Sequence, residues 1–238
     1  MTNRLLIWLA VSPREKNPTP CGDEETLSGR KPAQMGWYEF AATLVDGQSV
    51  LDVGCGSGVG LKLLSSRATD ALGIDLDERL QREDVEVRIQ SISDVPDKSF
   101  DVVVSMDVIE HVQDDRAFVA DLFRVARKAV FVTTPNYAVS RNRHPYHVRE
   151  YTPGEFERLF RGYGRLELYA GSAHGFERVP VTRRRAYFLV NALYCWKPTV
   201  VAAKIAKRLL GVTVWKHNAA FVRLPESTAT TGAPAAAA

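Results

Sequence analysis

An α/β fold, a parallel sheet covered by helices on both faces, is what this sequence predicts, and three observations carry the prediction. Short runs rich in Val, Ile and Leu alternate with helix-patterned segments between residues 50 and 133. Such alternation needs crossover connections, hence parallel pairing buried on both sides. The first apolar run opens into a glycine turn, Gly54-Cys55-Gly56-Ser57-Gly58. A second run, ending Gly73-Ile74-Asp75, closes on a carboxylate about twenty residues further on, the spacing of a strand–turn–helix–strand unit.

The elements follow in order. Leu5 to Val11 is apolar but short and runs into Ser12-Pro13 without a small-residue cleavage site, so it reads as a buried strand or surface-anchoring segment rather than a signal peptide. Pro13 to Pro32 is polar and rich in turn formers, so residues 1–36 read as an N-terminal arm over the site. Trp37, Phe40, Ala41 and Leu44 recur at helical spacing, and Asp46-Gly47 turns the chain into the first strand. Strands are predicted at 50–53, 71–74, 85–89, 102–105 and 129–133, with helices at 59–66 and 116–127. Thr152, Pro153 and Glu155 form a capping-box signature for a helix whose Phe156, Leu159 and Phe160 face inward. Residues 37–226 then form one domain, with an insertion at 178–216 before the last strand, and 227–238 read as a disordered tail.

Composition narrows the class. With 238 residues, 45% of them apolar, the chain can bury one sizeable core. Its three cysteines, at 21, 55 and 195, make neither a disulfide framework nor a zinc knuckle and point to a reducing, cytoplasmic setting. The net charge of +3 conceals an asymmetry, because no Asp or Glu occurs from Arg178 through Arg223 while Arg183, Arg184, Arg185, Lys197, Lys204, Lys207, Arg208 and Lys216 accumulate. An anionic neighbour for this part is one reading and a solvated cationic face is the other. Within it Val201, Ile205 and Leu209 share a helical face. That row suits lying flat on anionic lipid at the cytoplasmic membrane face, or packing against the main domain.

The glycine turn removes β-carbons where a ligand rests against backbone, and Asp75 is placed to accept from both hydroxyls of a ribose. A dinucleotide fits poorly. Val59 stands where the third fingerprint glycine is needed, Gly60 falls one place late, and Asp52 would repel a pyrophosphate. The same Asp52 attracts the ammonium of a cationic sulfonium nucleoside, S-adenosyl-L-methionine.

At these residues the chain resembles the class I S-adenosylmethionine-dependent methyltransferases, a resemblance that covers most of Trp37 to Leu224. Asp97 to Val104 is similar to that family's fourth strand with its lead-in, Met106 to Val112 to the segment after it, Thr133 to Asn136 to the end of the fifth strand, and Ala219 to Arg223 to the last strand. The resemblance implies a Rossmann-like, mostly parallel seven-stranded sheet whose last strand is antiparallel. It further implies that Asp52, Gly54, Cys55, Gly56, Gly58, Asp75, Leu76 and Met106 surround the cofactor and that Ser91 and Ile92 cover its adenine. Many relatives have Asp where Ser91 stands, so a hydroxyl would have to make the adenine contact.

Transfer to a hydroxyl needs a base, and histidine is the natural one near neutral pH. His147 is the first candidate and His111 the second. The loop Arg143 to Tyr151, with Arg141, Arg143 and Arg149, offers guanidinium forks to a phosphate or carboxylate on the acceptor. A competing reading takes Asp107, Glu110, His111 and His147 as ligands of a divalent cation, as the acid-x-x-Glu-His run of ubiquinone-pathway and small-RNA 2′-O-methyltransferases implies, although Asp107 stands where those have Glu. The expected function is O-methylation of a small-molecule or lipid-linked, anionic acceptor. The alternatives are metal-assisted RNA 2′-O-methylation and a catalytically inactive cofactor-binding domain. Nucleic acid is disfavoured by the lack of a separate RNA module or an interleaved aromatic platform.

Overall fold

A computed structural model describes residues 34–77 and 84–225. The expected arm up to residue 33, including Leu5 to Val11, and the alanine-rich tail lie outside these residues. Helix α1 (Met35–Leu44) turns Trp37, Tyr38, Ala41 and Ala42 inward, a stripe at helical spacing that must be covered. Strand β1 (Ser49–Val53), helix α2 (Val59–Ser65), β2 (Asp70–Asp75), β3 (Val87–Ile89) and β4 (Phe100–Met106) follow. Then come α3 (Asp115–Val125), β5 (Ala126–Pro135), the short α4 (Tyr137–Ser140), α5 (Pro153–Leu159), β6 (Arg165–Gly171) and β7 (Arg178–Pro180). The insertion supplies α6 (Arg184–Tyr194) and α7 (Val200–Leu210), separated at Lys197-Pro198 by a single 3₁₀ turn, before β8 (His217–Arg223).

The strand order is β3-β2-β1-β4-β5-β8-β6-β7. Strands β1 to β5 pair in parallel, and β8 runs antiparallel to both β5 and β6. The α/β architecture and the antiparallel last strand match expectation, but the sheet has eight strands rather than seven. The additional one is β7, three residues ending at Pro180 on the edge of β6, where a missing N–H costs no ladder bond. From β1 the chain moves outward to β2 and β3 and then crosses back to β4 on the other side of β1. That is the switch point beside which α/β sheets bind ligands.

Residue parity separates two cores. Leu51, Val53, Ile74, Val103, Val130 and Val132 meet Leu122, Phe123, Phe156 and Phe160 on one face. Val50, Val102, Val104 and Phe131 meet Trp37, Tyr38, Ala41 and Leu64 on the other. Thr152 caps α5 with both arms of the capping box formed, and Phe156 and Phe160 are fully buried. Helix α3 ends earlier than its sequence pattern, because the chain enters β5 at Ala126, opposite Phe100 of β4. In α7, Ala203 faces inward while Val201, Ile205 and Leu209 point to solvent, so the row of large apolar side chains does not pack on the main domain.

Candidate active site

The carboxyl ends of β1, β2, β4 and β5 converge on one rim. At β1, Gly54, Gly56 and Gly58 adopt left-handed backbone with φ of 72°, 55° and 74°. A Cβ on Gly54 would lie 2.4 Å from Val108 Cγ2, so this position also needs its bare backbone. The turn is stitched to β2. Gly54 and Cys55 donate their N–H to the Ile74 carbonyl at 2.8 and 3.2 Å, and Gly56 donates to Asp75 Oδ2 at 2.9 Å. Asp75 Oδ1 accepts from the Leu76 and Asp77 backbone at 2.7 and 3.1 Å, which fixes its rotamer at the end of β2. Beside it Leu76 is 66% exposed. Cys55, Met106 and Ile92 are buried, and Ser91 caps the 3₁₀ turn that begins at Ile92 by accepting from Ser93 N at 3.3 Å. Asp52 is enclosed behind the turn, where the Tyr38 hydroxyl donates to its Oδ2 at 2.9 Å.

Beyond β4 the chain enters Asp107, which holds a left-handed φ of 54°. Non-glycine residues adopt this conformation when surroundings over-determine it. The Asp107 N–H donates to Thr133 Oγ1 at 3.1 Å, and Thr133 Oγ1 donates to Asp107 Oδ1 at 2.7 Å. Gln34 Nε2 donates to Oδ2 at 2.7 Å, and His217 Nε2 lies 3.1 Å from the same oxygen. Burial pushes this carboxyl up, but the His217 charge and the hydrogen bonds from His217, Thr133 and Gln34 outweigh it and hold the pKa below 3.8.

Three residues further, Glu110 is fully buried, and the Thr134 hydroxyl donates to its Oε2 at 3.0 Å. Burial, then the charges of Asp107 and Glu150, raise its pKa well above the ordinary 4.5. Its carbonyl accepts from the backbone of Val148 and Arg149 at 2.8 and 3.1 Å, pinning the histidine loop against the rim. His111 Nδ1 sits 3.1 Å from the Tyr146 carbonyl, which makes Nδ1 the donor and leaves Nε2 with its lone pair. Burial, then the His147 charge, lowers the pKa of His111 to about 4. His147 Nδ1 lies 2.6 Å from Glu150 Oε1, while Glu150 Oε2 accepts from Asn142 N at 2.6 Å and from the Ser140 hydroxyl. Burial alone would raise the Glu150 pKa, yet the hydrogen bonds from His147, Ser140 and Asn142 lower it. The His147 ring contacts His111 edge-on at 4.8 Å between centroids and stacks on His144 at 4.4 Å.

A cavity of about 330 Å³ opens here, lined by Arg143, His144, His147, Glu150, Lys216 and His217 among others. Among the described residues, one ligand atom from each of Glu110, His111 and His147 falls within 4.8 Å of the others. Asp107 is not part of that group, since its carboxylate is engaged by Thr133, Gln34 and His217. Of the three arginines expected around the loop, only Arg143 lines the cavity. Arg141 donates to the carbonyls of Tyr194 and Cys195, and Arg149 pairs with Asp115 and Glu155 while covering the Tyr151 ring. Sequence reasoning missed Glu150, Lys216 and His217. Glu150 carried a signal, standing three residues after His147, whereas Lys216 and His217 reach the site only through the antiparallel return of β8.

Comparison with known proteins gives a consistent setting. A family model described as a methyltransferase domain matches residues 30–168, more than half of the chain. A protein of Mycolicibacterium smegmatis named "Probable S-adenosylmethionine-dependent methyltransferase" is 33% identical over 171 residues, covering 65% of this chain and 66% of that protein. A ubiquinone biosynthesis O-methyltransferase of Methylococcus capsulatus is 33% identical over 132 residues, covering 49% of this chain and 55% of that protein. The chain thus spans a little over half to about two thirds of these relatives' lengths. The crystal structure of the plantazolicin methyltransferase BpumL, solved with a triazolic desmethylPZN analog and SAH, is similar with a TM-score of 0.56 over 86% of this chain and 92% of that one. At 14% identity it bears on the fold alone.

Proposed function

Because the chain belongs to the methyltransferase-domain family and shares its cofactor, S-adenosylmethionine, we propose that it methylates a hydroxyl oxygen of a small-molecule or lipid-linked acceptor by direct displacement. The residues suit that cofactor. Three left-handed glycines leave bare backbone at the switch point, Asp75 is held rigidly at the end of β2, and exposed Leu76 offers an apolar surface to a purine face. When bound, the cofactor supplies a methyl carbon on a cationic sulfonium.

The observation that carries the oxygen-acceptor reading is the His147–Glu150 pair in the wall of the cavity. Glu150 fixes the ring and keeps the proton on Nδ1, so Nε2 is free to take the acceptor hydroxyl's proton as the new bond forms. Glu150 is therefore a positioning residue and His147 the base. Arg143 and Lys216 line the same cavity with no hydrogen bond or ion pair of their side chains among the described residues, which supports an acceptor bearing a carboxylate or phosphate.

A second reading has its own observation. His111 and His147 each engage Nδ1 with a carbonyl or carboxylate, the outer-shell pattern of metal-bound imidazoles, while Glu110 converges on them. There Glu110, His111 and His147 would hold a divalent cation, which would polarise the acceptor oxygen.

An acceptor screen that follows release of the demethylated cofactor, with and without chelator, separates the two readings. His147→Ala is expected to reduce kcat by about 10²–10⁴-fold, with partial rescue by added imidazole and no effect of chelator. Activity abolished by chelator and restored by a divalent cation would instead support the second reading. Full activity of His147→Ala would exclude both.

A further inference from the structure

We propose that the outer face of α6 and α7 docks on an anionic lipid bilayer. Large apolar side chains stand in solvent on this hairpin: Leu189 52% exposed, Trp196 64%, Val201 69%, Ile205 56% and Leu209 80%. On α7, Val201, Ile205 and Leu209 follow at intervals of four residues and form one continuous row. Lys204 and Arg208 stand on the same outward side, bordering the row. The inward side of α7 is instead Ala203, Ala206 and Leu210, the last two packed against a small cluster with Tyr187, Val190 and Val212. The hairpin is thus anchored by small and flanking residues and leaves its bulkiest ones uncovered, the reverse of what a helix packed for stability alone would do.

Charge identifies the occupant. No Asp or Glu occurs from Arg178 through Arg223. Lys197, Lys204, Lys207 and Arg208 have no ion pair or side-chain hydrogen bond among the described residues. An apolar row bordered by unpaired cations complements acyl chains beneath anionic headgroups, and an exposed tryptophan at its end suits the interfacial depth. No helix among the described residues is long and apolar enough to cross a membrane, so the contact is peripheral. The surface is also coupled to the cavity. Arg141 binds the carbonyls of Tyr194 and Cys195 next to Trp196, and Asn136 Nδ2 donates to Asn191 Oδ1 of α6 at 2.7 Å. These bonds tie α6 to Asn136 and Arg141, which lead into the loop that carries Arg143, His144 and His147. The docking does not depend on the chemistry proposed above, and its test involves no turnover.

The test is sedimentation of the full chain with vesicles of phosphatidylcholine alone or mixed with phosphatidylglycerol, at low and high salt. The expected result is binding to the mixed vesicles only, weakened by salt. Ile205→Ser/Leu209→Ser and Lys204→Glu/Arg208→Glu should each lower partitioning about tenfold or more, with unchanged circular dichroism because all four side chains are exposed. Wild-type protein that stays in the supernatant at low salt would overturn the proposal, as would variants that bind like wild type. A dimer in solution that Ile205→Ser/Leu209→Ser dissociates would also overturn it, assigning the face to a second copy of the chain.

Discussion

Glu110 couples local burial to solution behaviour. Its carboxyl is enclosed and faces the charges of Asp107 and Glu150, so in the folded protein it keeps a proton that the unfolded chain releases above its ordinary 4.5. The folded state then binds more protons than the unfolded state, and stability must fall as pH rises from 4.5 toward the raised native value. His111 acts in the opposite sense. Its pKa is lowered from 6.5 to about 4, so the unfolded chain binds the extra proton and stability falls as pH drops through that window. Glu110→Gln keeps the shape and the Thr134 contact but cannot ionise. Its thermal midpoint should therefore decline less than that of wild type as pH rises above 4.5, while the His111-driven acid slope persists. Parallel curves for the two proteins would show that Glu110 is ionised in the folded state.

Among the elements, the contact between α1 and α2 holds the glycine turn from behind. Gly60 in α2 lies under the Tyr38 ring, where an added Cβ would come within 2.2 Å of Tyr38 Cζ, and the Tyr38 hydroxyl in turn holds Asp52. Gly60→Ala should cost about 1–3 kcal/mol through overpacking, lowering the melting temperature by about 2–4 °C for each kcal/mol. It should weaken cofactor binding as well. Gly47→Ala is the control, since Gly47 has a left-handed φ of 67° but nothing within 4 Å of its Cβ position. It should lose stability without losing affinity. If both variants lose cofactor affinity equally, the Tyr38 contact is not what supports the turn.

The same elements separate what was legible in the sequence from what was not. The cofactor half is local. Gly54 to Gly58 follow β1 directly and Asp75 ends the adjacent β2, the two strands being joined by one helix, and their spacing fixes the geometry. The acceptor half is assembled from distant pieces, with His217 meeting Asp107 across 110 residues and Gln34 meeting it across 73. No spacing rule predicts such contacts. His111 was legible as a candidate because it follows the predicted fourth strand, and His147 because it lies in the loop between the fifth strand and the capped helix, but their shared contact required the Glu110 carbonyl to pin the loop. Strand β6 was overlooked although Leu166, Leu168 and Ala170 alternate with Glu167 and Tyr169, and β7 is too short for any period. Apolar periodicity identified the row on α7 but gave no direction. The inward face there carries Ala203 and Ala206 with Leu210 at the helix end, whereas the bulkier Val201, Ile205 and Leu209 face outward.

For the molecule as a whole, the sheet order brings the carboxylate of Asp75 at the end of β2, with Asp52 and Asp107 buried behind the same rim, to one side of a cationic, histidine-lined cavity at the end of β5 and the start of β8. That division suits a cationic cofactor on one side and an electron-rich acceptor on the other. The central claim is that the glycine turn with Asp75 grips S-adenosylmethionine. Isothermal calorimetry of the wild-type protein and Asp75→Ala with this compound tests it most directly. The account predicts a single saturable site in wild type and, from loss of a charged hydrogen-bond acceptor, affinity about 10- to 100-fold lower in the variant. No heat with wild type, or equal affinity in the two proteins, would contradict it.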